Sequence, residues 1–326
     1  MYVIYSTILS FTRRGKTLSY TQVADDFWLD SVASDFFKPR SSVISTLHDR
    51  LLIHPVQPCN SATYMIILVF SLPEDFLWRK TIRNTWSGAA KKNRWPRMHL
   101  RVHVEVFFIV GQRESSLIFE TVKEEASRHH DIIMGDFTDS YRNLTYKTLA
   151  GLSWVSQHCS HTKFVMKLDQ DTFVDLPRLL SFLSSHDKEL HNSVIGKFYS
   201  SPLVKSEGKW KVTRSEYPFS MYPAFAGGPC YIISTDVVHQ ILQTSQHMPF
   251  FHLEDVLVTG IIAKTLGLYR YSVEQLQNFY KNESLCAFIE RPKTQLSMTE
   301  LSREKIRHVW KTIVTDICIP FKKQSV

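Results

Sequence analysis

The segment KFVMKLDQDTFVD, residues 163–175, joins an apolar run to two carboxylates two residues apart, Asp169 and Asp171. In extended chain such residues share a face, so both can reach one point at a sheet edge. Two hard oxygen donors there suit Mg²⁺ or Mn²⁺. An ion held by so few carboxylates keeps positions for a substrate diphosphate. The competing reading is a solvated turn, where Asp is common. A second acidic point is HLEDVLVTG, residues 252–260. Glu254 and Asp255 open an apolar helical pattern, either as first-turn acids favoured by the helix dipole or as a general base aimed into a cleft.

Three further segments could bind. Arg79 and Arg83 lie four apart, on one face of a helix, as two guanidinium groups for a diphosphate or as a solvated basic face. DFTDSYRNLTYK, residues 136–147, follows a short apolar run and leads into a helix, with Lys147 near a phosphate or in an ordinary polar connection. YPAFAGGPCY, residues 222–231, offers Gly227 and Gly228 for close backbone approach to a ligand, and Tyr222 to stack on a sugar ring. A tight turn with core aromatics is the alternative there. Phosphate loops of the G-x-x-x-x-G-K type, G-x-G-x-x-G and G-x-S-x-G are all absent from the sequence.

These residues need elements to position them. Residues 64–70, 102–110, 131–134 and 163–168 read as strands, and 230–234 as another. The first is an unbroken apolar run, as in a strand buried on both faces. Helical patterns fall at 73–86, 117–130, 143–158, 256–266 and 299–313. This alternation predicts an α/β domain with a mostly parallel central sheet flanked by helices, and ligands beyond the carboxyl ends of its strands. Residues 1–58 lack periodicity and end in a proline-marked boundary. They are expected to form a separate stem-like segment, with the catalytic domain over 59–326.

The chain has 326 residues, 44% hydrophobic and 21% charged, which excludes wholesale disorder. Lys and Arg number 39 against 31 Asp and Glu, a net +8. The excess suits nucleotides, phosphates or acidic membrane surfaces. Nucleic acid is not an expected partner. Five cysteines forbid complete internal pairing. No apolar run approaches the roughly 18 residues of a membrane span. Residues 2–11 are too short, and the basic residues that follow them invert the order of a secretory signal.

Jointly and in this order, the segments resemble glycosyltransferase family 31, the beta-1,3-galactosyltransferase and N-acetylglucosaminyltransferase group. R-x-x-I-R-x-T-W is matched from Arg79 to Trp86, and D-F-x-D-S-Y-x-N-L-T-x-K-T from Asp136 to Thr148. K-x-D-x-D-x-F-V is matched from Lys167 to Val174. E-D-V-x-x-G is matched from Glu254, with Gly260 one residue late. The resemblance implies a GT-A nucleotide-sugar fold and inverting transfer of a hexose or N-acetylhexosamine from a UDP-sugar to a glycoprotein or glycolipid acceptor. It implies Mn²⁺ on Asp171, with Asp169 supporting it, and Asp255 as base with Glu254 as rival. Arg79, Arg83 and Lys147 are implied at the donor site, and Tyr222, Gly227 and Gly228 beside a sugar. A Cys59–Cys159 disulfide and residence at the lumenal face of the Golgi membrane are also implied. Gln170 stands where many relatives have Asp, and Cys230 where glycine is common. Gln170 is expected to point off the metal face and to bear on donor preference. The alternatives are an inactive relative that binds glycan or nucleotide, and a metal-dependent phosphohydrolase.

Overall fold

The computed structural model describes residues 18–24, 38–44, 50–56, 59–200, 202–277 and 295–317. Its strands in chain order are β1 (Thr21–Gln22), β2 (Leu51–Ile53), β3 (Thr63–Phe70), β4 (Arg94–Trp95), β5 (Met98–His99), β6 (His103–Gln112) and β7 (Ile132–Thr138). They continue with β8 (Phe164–Asp169), β9 (Phe173–Val174), β10 (Ser193–Tyr199), β11 (Phe225–Ser234), β12 (Tyr269–Ser272) and β13 (Ser297–Met298). Nine of them form one sheet in the order β1-β12-β10-β11-β8-β3-β6-β7-β2.

The expectation of a mostly parallel sheet holds at its centre, where β7, β6, β3 and β8 run parallel. Outside the centre the sheet is mixed. β11 is antiparallel to both β8 and β10, and the edge strands β1 and β2 are antiparallel to their neighbours. A parallel block continued by one reversed strand is the GT-A arrangement. The reversal matters for function, because it puts the start of β11 at the same sheet edge as the end of β8.

The main helices are α1 (Phe76–Arg83), α2 (Trp86–Lys91), α3 (Ser116–His129), α4 (Leu144–His158), α5 (Leu176–His186), α6 (Val238–Gln246) and α7 (Arg303–Thr315). Alternate residues of β3 feed two cores. Met65, Ile67 and Val69 pack on one face, and Ile66, Leu68 and Phe70 on the other. Each is nearly or fully buried, worth about 1.5–3 kcal/mol per large apolar side chain. The apolar pattern over 256–266 folds as a π-helical segment, Val256–Ile262. The last helix starts at Arg303 rather than Thr299, because the Ser302 hydroxyl caps it by accepting from the Lys305 N–H.

The boundary at residue 58 does not isolate a stem among the described residues. β1 pairs with β12 and β2 pairs with β7, so the first 58 residues supply both edge strands of the sheet. Short unpatterned strands pair this way because a sheet edge otherwise leaves its N–H and C=O groups open. The Cys59–Cys159 disulfide is present, with 5.4 Å between Cα atoms. Cys230 is a buried free thiol. Residues 2–11 lie outside the described residues. No helix among the described residues is long and apolar enough to cross a membrane.

Candidate active site

The site is assembled at the carboxyl edge of the parallel block. β8 presents Lys167 and Asp169 on one face, with Lys167 Nζ 2.6 Å from Asp169 Oδ1. The chain then turns, the Thr172 N–H donating to the Asp169 carbonyl at 3.1 Å. Asp171 sits in that turn, and its own carbonyl accepts from the Leu301 N–H at 3.0 Å. β9 pairs with β13 directly beyond, and Thr172 Oγ1 donates to Thr299 Oγ1. The carboxylate turn is therefore pinned by the segment that leads into α7. Burial, then the charge of Asp169, pushes the Asp171 carboxyl up to about 6.

The second acidic pair divides into two environments. Glu254 is walled in. It accepts from Tyr231 Oη at 2.5 Å and Thr148 Oγ1 at 3.3 Å, and lies 3.3 Å from Lys167 Nζ. Burial pushes its carboxyl up to about 7, against the lowering pull of Lys167. Asp255 is partly exposed and caps the π-helical segment, accepting from the Val256 N–H through Oδ1 at 2.9 Å. Its other oxygen lies against Gly228, where an added Cβ would come within 2.9 Å of Oδ2. Burial raises the Asp255 carboxyl as well. Gly228 is thus required for the approach of this carboxylate to β11. Gly227 similarly admits the buried Gln277, whose Oε1 would lie 1.9 Å from a Cβ there.

Lys167 joins the two acidic points, and the sequence reading passed it over. Its ammonium touches Asp169 and Glu254, donates to the Gly228 carbonyl, and lies 4.7 Å from the centre of the Phe70 ring. Its pKa is raised, the neighbouring carboxylates outweighing the cost of burial. The signal was present as a lysine inside an apolar strand, two residues before Asp169. Tyr141 was also missed. Burial, then the charge of Asp255, pushes its phenol up to about 12, and the Lys209 ammonium lies over its ring at 4.6 Å.

Four expected binding residues take supporting places instead. Arg79 is buried, with Nη2 2.6 Å from Glu125 Oε2 and further bonds to the Leu72 and Pro73 carbonyls. Arg83 pairs with Glu125 at 2.5 Å and Asp131 at 2.7 Å. Their shared helix face meets carboxylates of the protein, which leaves no fork for a diphosphate. Arg79 instead holds the 71–73 loop at the end of β3. Lys147 is also buried, 2.7 Å from Asp139 and donating to the Ser71 carbonyl at 3.0 Å. Burial lowers its pKa. It ties the loop after β3 to the connection after β7. Tyr222 packs with Tyr217, Phe225 and Phe251 in the core, so its ring does not border a sugar. Gln170, between the two carboxylates, donates through Nε2 to Asp75 Oδ2 at 2.5 Å.

The structure thus gathers Asp169, Asp171, Asp255 and Glu254 around Lys167, with the glycine pair of β11 beside them. The family model described as Galactosyltransferase matches residues 78–274, more than half of the chain and all of these residues. The chain belongs to the galactosyltransferase family. It is 32% identical over 262 residues to beta-1,3-galactosyltransferase 1 of Homo sapiens, covering 79% of this chain and 77% of that protein. It is 33% identical over 260 residues to beta-1,3-galactosyltransferase 5 of Mus musculus, covering 78% of this chain and 82% of the relative. Among solved structures it is similar to a glycosyltransferase involved in the glycosylation of the major capsid of PBCV-1. That likeness is at 11% identity and a TM-score of 0.39, over 76% of this chain and 98% of that one. As a member of the galactosyltransferase family, the protein is a glycosyltransferase enzyme. In the R-x-x-I-R-x-T-W segment Arg79 and Arg83 are paired with Glu125 and Asp131, whereas Asp169 and Glu254 of the two acidic motifs meet at Lys167.

Proposed function

We propose that the protein is an inverting beta-1,3-galactosyltransferase that moves galactose from UDP-galactose to a glycan acceptor on a glycoprotein or glycolipid in the Golgi lumen. The relatives named beta-1,3-galactosyltransferase 1 and 5 support the donor and linkage. The disulfide supports an oxidising, secretory compartment. The observation that carries the reading is Asp255, a partly exposed carboxylate with one oxygen committed to its helix and the other lying against Gly228 of β11, at the same edge as Asp169 and Asp171.

In this reading Asp255 takes the proton of the acceptor hydroxyl as that oxygen attacks the anomeric carbon. The new C–O bond forms on the face opposite UDP while the bond to the UDP oxygen breaks, and its electron pair leaves with UDP. Glu254 does not compete for the proton, because Tyr231, Thr148 and Lys167 occupy its carboxylate. Lys167 holds Asp169 in place and fixes the Gly228 carbonyl beside the base.

The donor set fits a hard divalent cation such as Mn²⁺. Asp169 and Asp171 are oxygen donors two residues apart, and Asp171 is raised by burial and then by the charge of Asp169, which a cation would offset. Asp171 would hold the ion and Asp169 would support it. When bound, Mn²⁺ supplies charge neutralisation for the diphosphate leaving group.

The test is Asp255→Asn. It is expected to lower turnover by about 10²–10⁴-fold, the usual worth of a general base, with UDP affinity and thermal stability unchanged. Full activity in the variant would contradict the assignment. Absence of transfer by the parent with every UDP-sugar and acceptor screened would favour a glycan- or nucleotide-binding role.

A further inference from the structure

The segment between β10 and β11 emerges at the catalytic edge. β10 is antiparallel to β11, and its last residue, Tyr199, pairs with Phe225 at the start of β11. β7 runs parallel with β6, β3 and β8, so its end lies at this edge as well, and Tyr141 follows it by three residues. Residues 202–224 fold back on themselves there. Leu203 bridges to Met221 and Lys205 to Lys211, and the Val204 N–H donates to the Ser220 carbonyl at 2.9 Å. Val212 and Tyr217 of this segment are buried. Arg142 Nη2 lies 2.8 Å from Glu216 Oε1, which ties the segment to the turn that carries Tyr141.

Trp210 stands out on this anchored segment, because it is 56% exposed where tryptophan is ordinarily well buried. Its indole N–H donates to the Tyr141 phenol oxygen, and the neighbouring Lys209 ammonium lies 4.6 Å over the Tyr141 ring. These contacts hold the indole at the surface beside the half-buried Tyr141. An aromatic ring kept in water at a reaction edge suits a ligand with one apolar face and a polar rim. The acceptor pyranose has such a face, with C–H groups on one side and hydroxyls around it. The donor's uracil ring could also stack. The two cores separate these choices. The Asp169–Asp171 turn leads into Phe173 and Val174 and is held by Leu301, all packed with Met65, Ile67 and Val69 on one face of the sheet. Val212 and Tyr217, and Val256 next to Asp255, pack with Ile66, Leu68 and Phe70 on the other face. Trp210 therefore stands on the side of Asp255, away from the carboxylates that suit a metal. After burial, Asp255 is also the charge that most raises the Tyr141 phenol, ahead of Glu254 and Asp169.

We propose that Trp210 and Tyr141 form the platform on which the terminal sugar of the acceptor stacks, so that its hydroxyl is presented to Asp255. The inference rests on the transferase reading and names the residues that bind the acceptor. In an inverting transfer the acceptor attacks from the side opposite the diphosphate. A platform on the Asp255 side of the sheet edge, facing away from the Asp169–Asp171 turn, meets that requirement.

The experiment is steady-state transfer by the full chain from UDP-galactose, with Mn²⁺, to the methyl β-glycosides of N-acetylglucosamine and of galactose. Calorimetry of the same glycosides and of UDP runs beside it. Trp210→Ala is expected to raise the acceptor KM and the glycoside Kd about tenfold. Turnover, the KM for UDP-galactose, Mn²⁺-dependent UDP affinity and the melting temperature should match the parent, since the lost contact is one of acceptor binding alone. Trp210→Phe keeps an aromatic face and should recover most of the loss, whereas Trp210→Leu should not. A parent-like acceptor KM in Trp210→Ala would overturn the proposal. So would a loss of UDP affinity in that variant, which would put the indole on the nucleotide. A parent that transfers to neither glycoside would count against the transferase reading, and glycoside binding then decides for the platform. Binding that Trp210→Ala weakens would uphold it, and failure of the folded parent to bind either glycoside would overturn it.

Discussion

Two charged clusters flank the carboxyl edge of the sheet, and they are built on opposite terms. Behind the edge, Arg79 and Arg83 face Glu125 and Asp131, so 2 − 2 leaves no net charge. Every guanidinium fork there is filled by the protein itself. At the edge, Asp169, Asp171, Glu254 and Asp255 gather around Lys167, so 4 − 1 leaves an excess of three negative charges when all are ionised. A balanced, closed cluster has nothing left to bind. An unbalanced one with three partly open carboxylates, Asp169, Asp171 and Asp255, is suited to a cation and a proton. The charge balance of each cluster, rather than the presence of charged residues in a motif, separates scaffold from site.

That contrast can be broken at Lys167. Lys167→Met leaves Glu254 buried without its cation and frees Asp169 and the Gly228 carbonyl. The expected loss is about 3–5 kcal/mol of stability, the usual cost of stripping one partner from a buried pair, read from chemical denaturation. The folded fraction should also lose activity, because the same lysine positions both acidic points.

Arg83→Gln sharpens the contrast from the other side. It should cost about 3 kcal/mol through the stranded Asp131 and Glu125, while turnover per folded molecule stays unchanged. A large fall in turnover at unchanged stability would place Arg83 in the donor site after all.

The smallest effect separates Glu254 from Asp255. The folded-state pKa of Glu254 is raised from an ordinary 4.5 to about 7 by burial. Its contribution to stability is therefore fully present below about pH 4.5 and lost as pH rises through 7. Glu254→Gln keeps the shape and cannot ionise. Melting curves across this window should fall with pH in the parent and be flatter in the variant.

Much of this was legible in the residues alone. β3, β6 and β8 were visible because strands covered on both faces must be apolar throughout. Asp169 and Asp171 stood out because they follow such a strand at its carboxyl end, where sheets of this class bind ligands. The partners of Arg79 and Arg83 were not legible. Four-residue spacing shows that two side chains share a face, but not that the face meets Glu125 and Asp131, more than forty residues onward. Lys167 was hidden for a related reason. Only the antiparallel pairing of β8 with β11, which sets Lys167 opposite Tyr231, brings Glu254 within reach. The edge strands β1 and β2 are two and three residues long, too short to show a period. Tyr222 was misjudged because an aromatic near glycines reads equally well as a sugar platform or a core residue, and its neighbours Tyr217 and Phe251 decide for the core.

The central claim is that the uncompensated acidic cluster is a metal-assisted UDP-sugar site. Calorimetry of UDP with the purified protein, first with Mn²⁺ and then with EDTA, tests it most directly. The account predicts saturable binding with Mn²⁺ that EDTA abolishes, and its loss in Asp171→Asn, whose fold should be intact. UDP binding of equal strength with EDTA, or no binding by the folded parent, would contradict it.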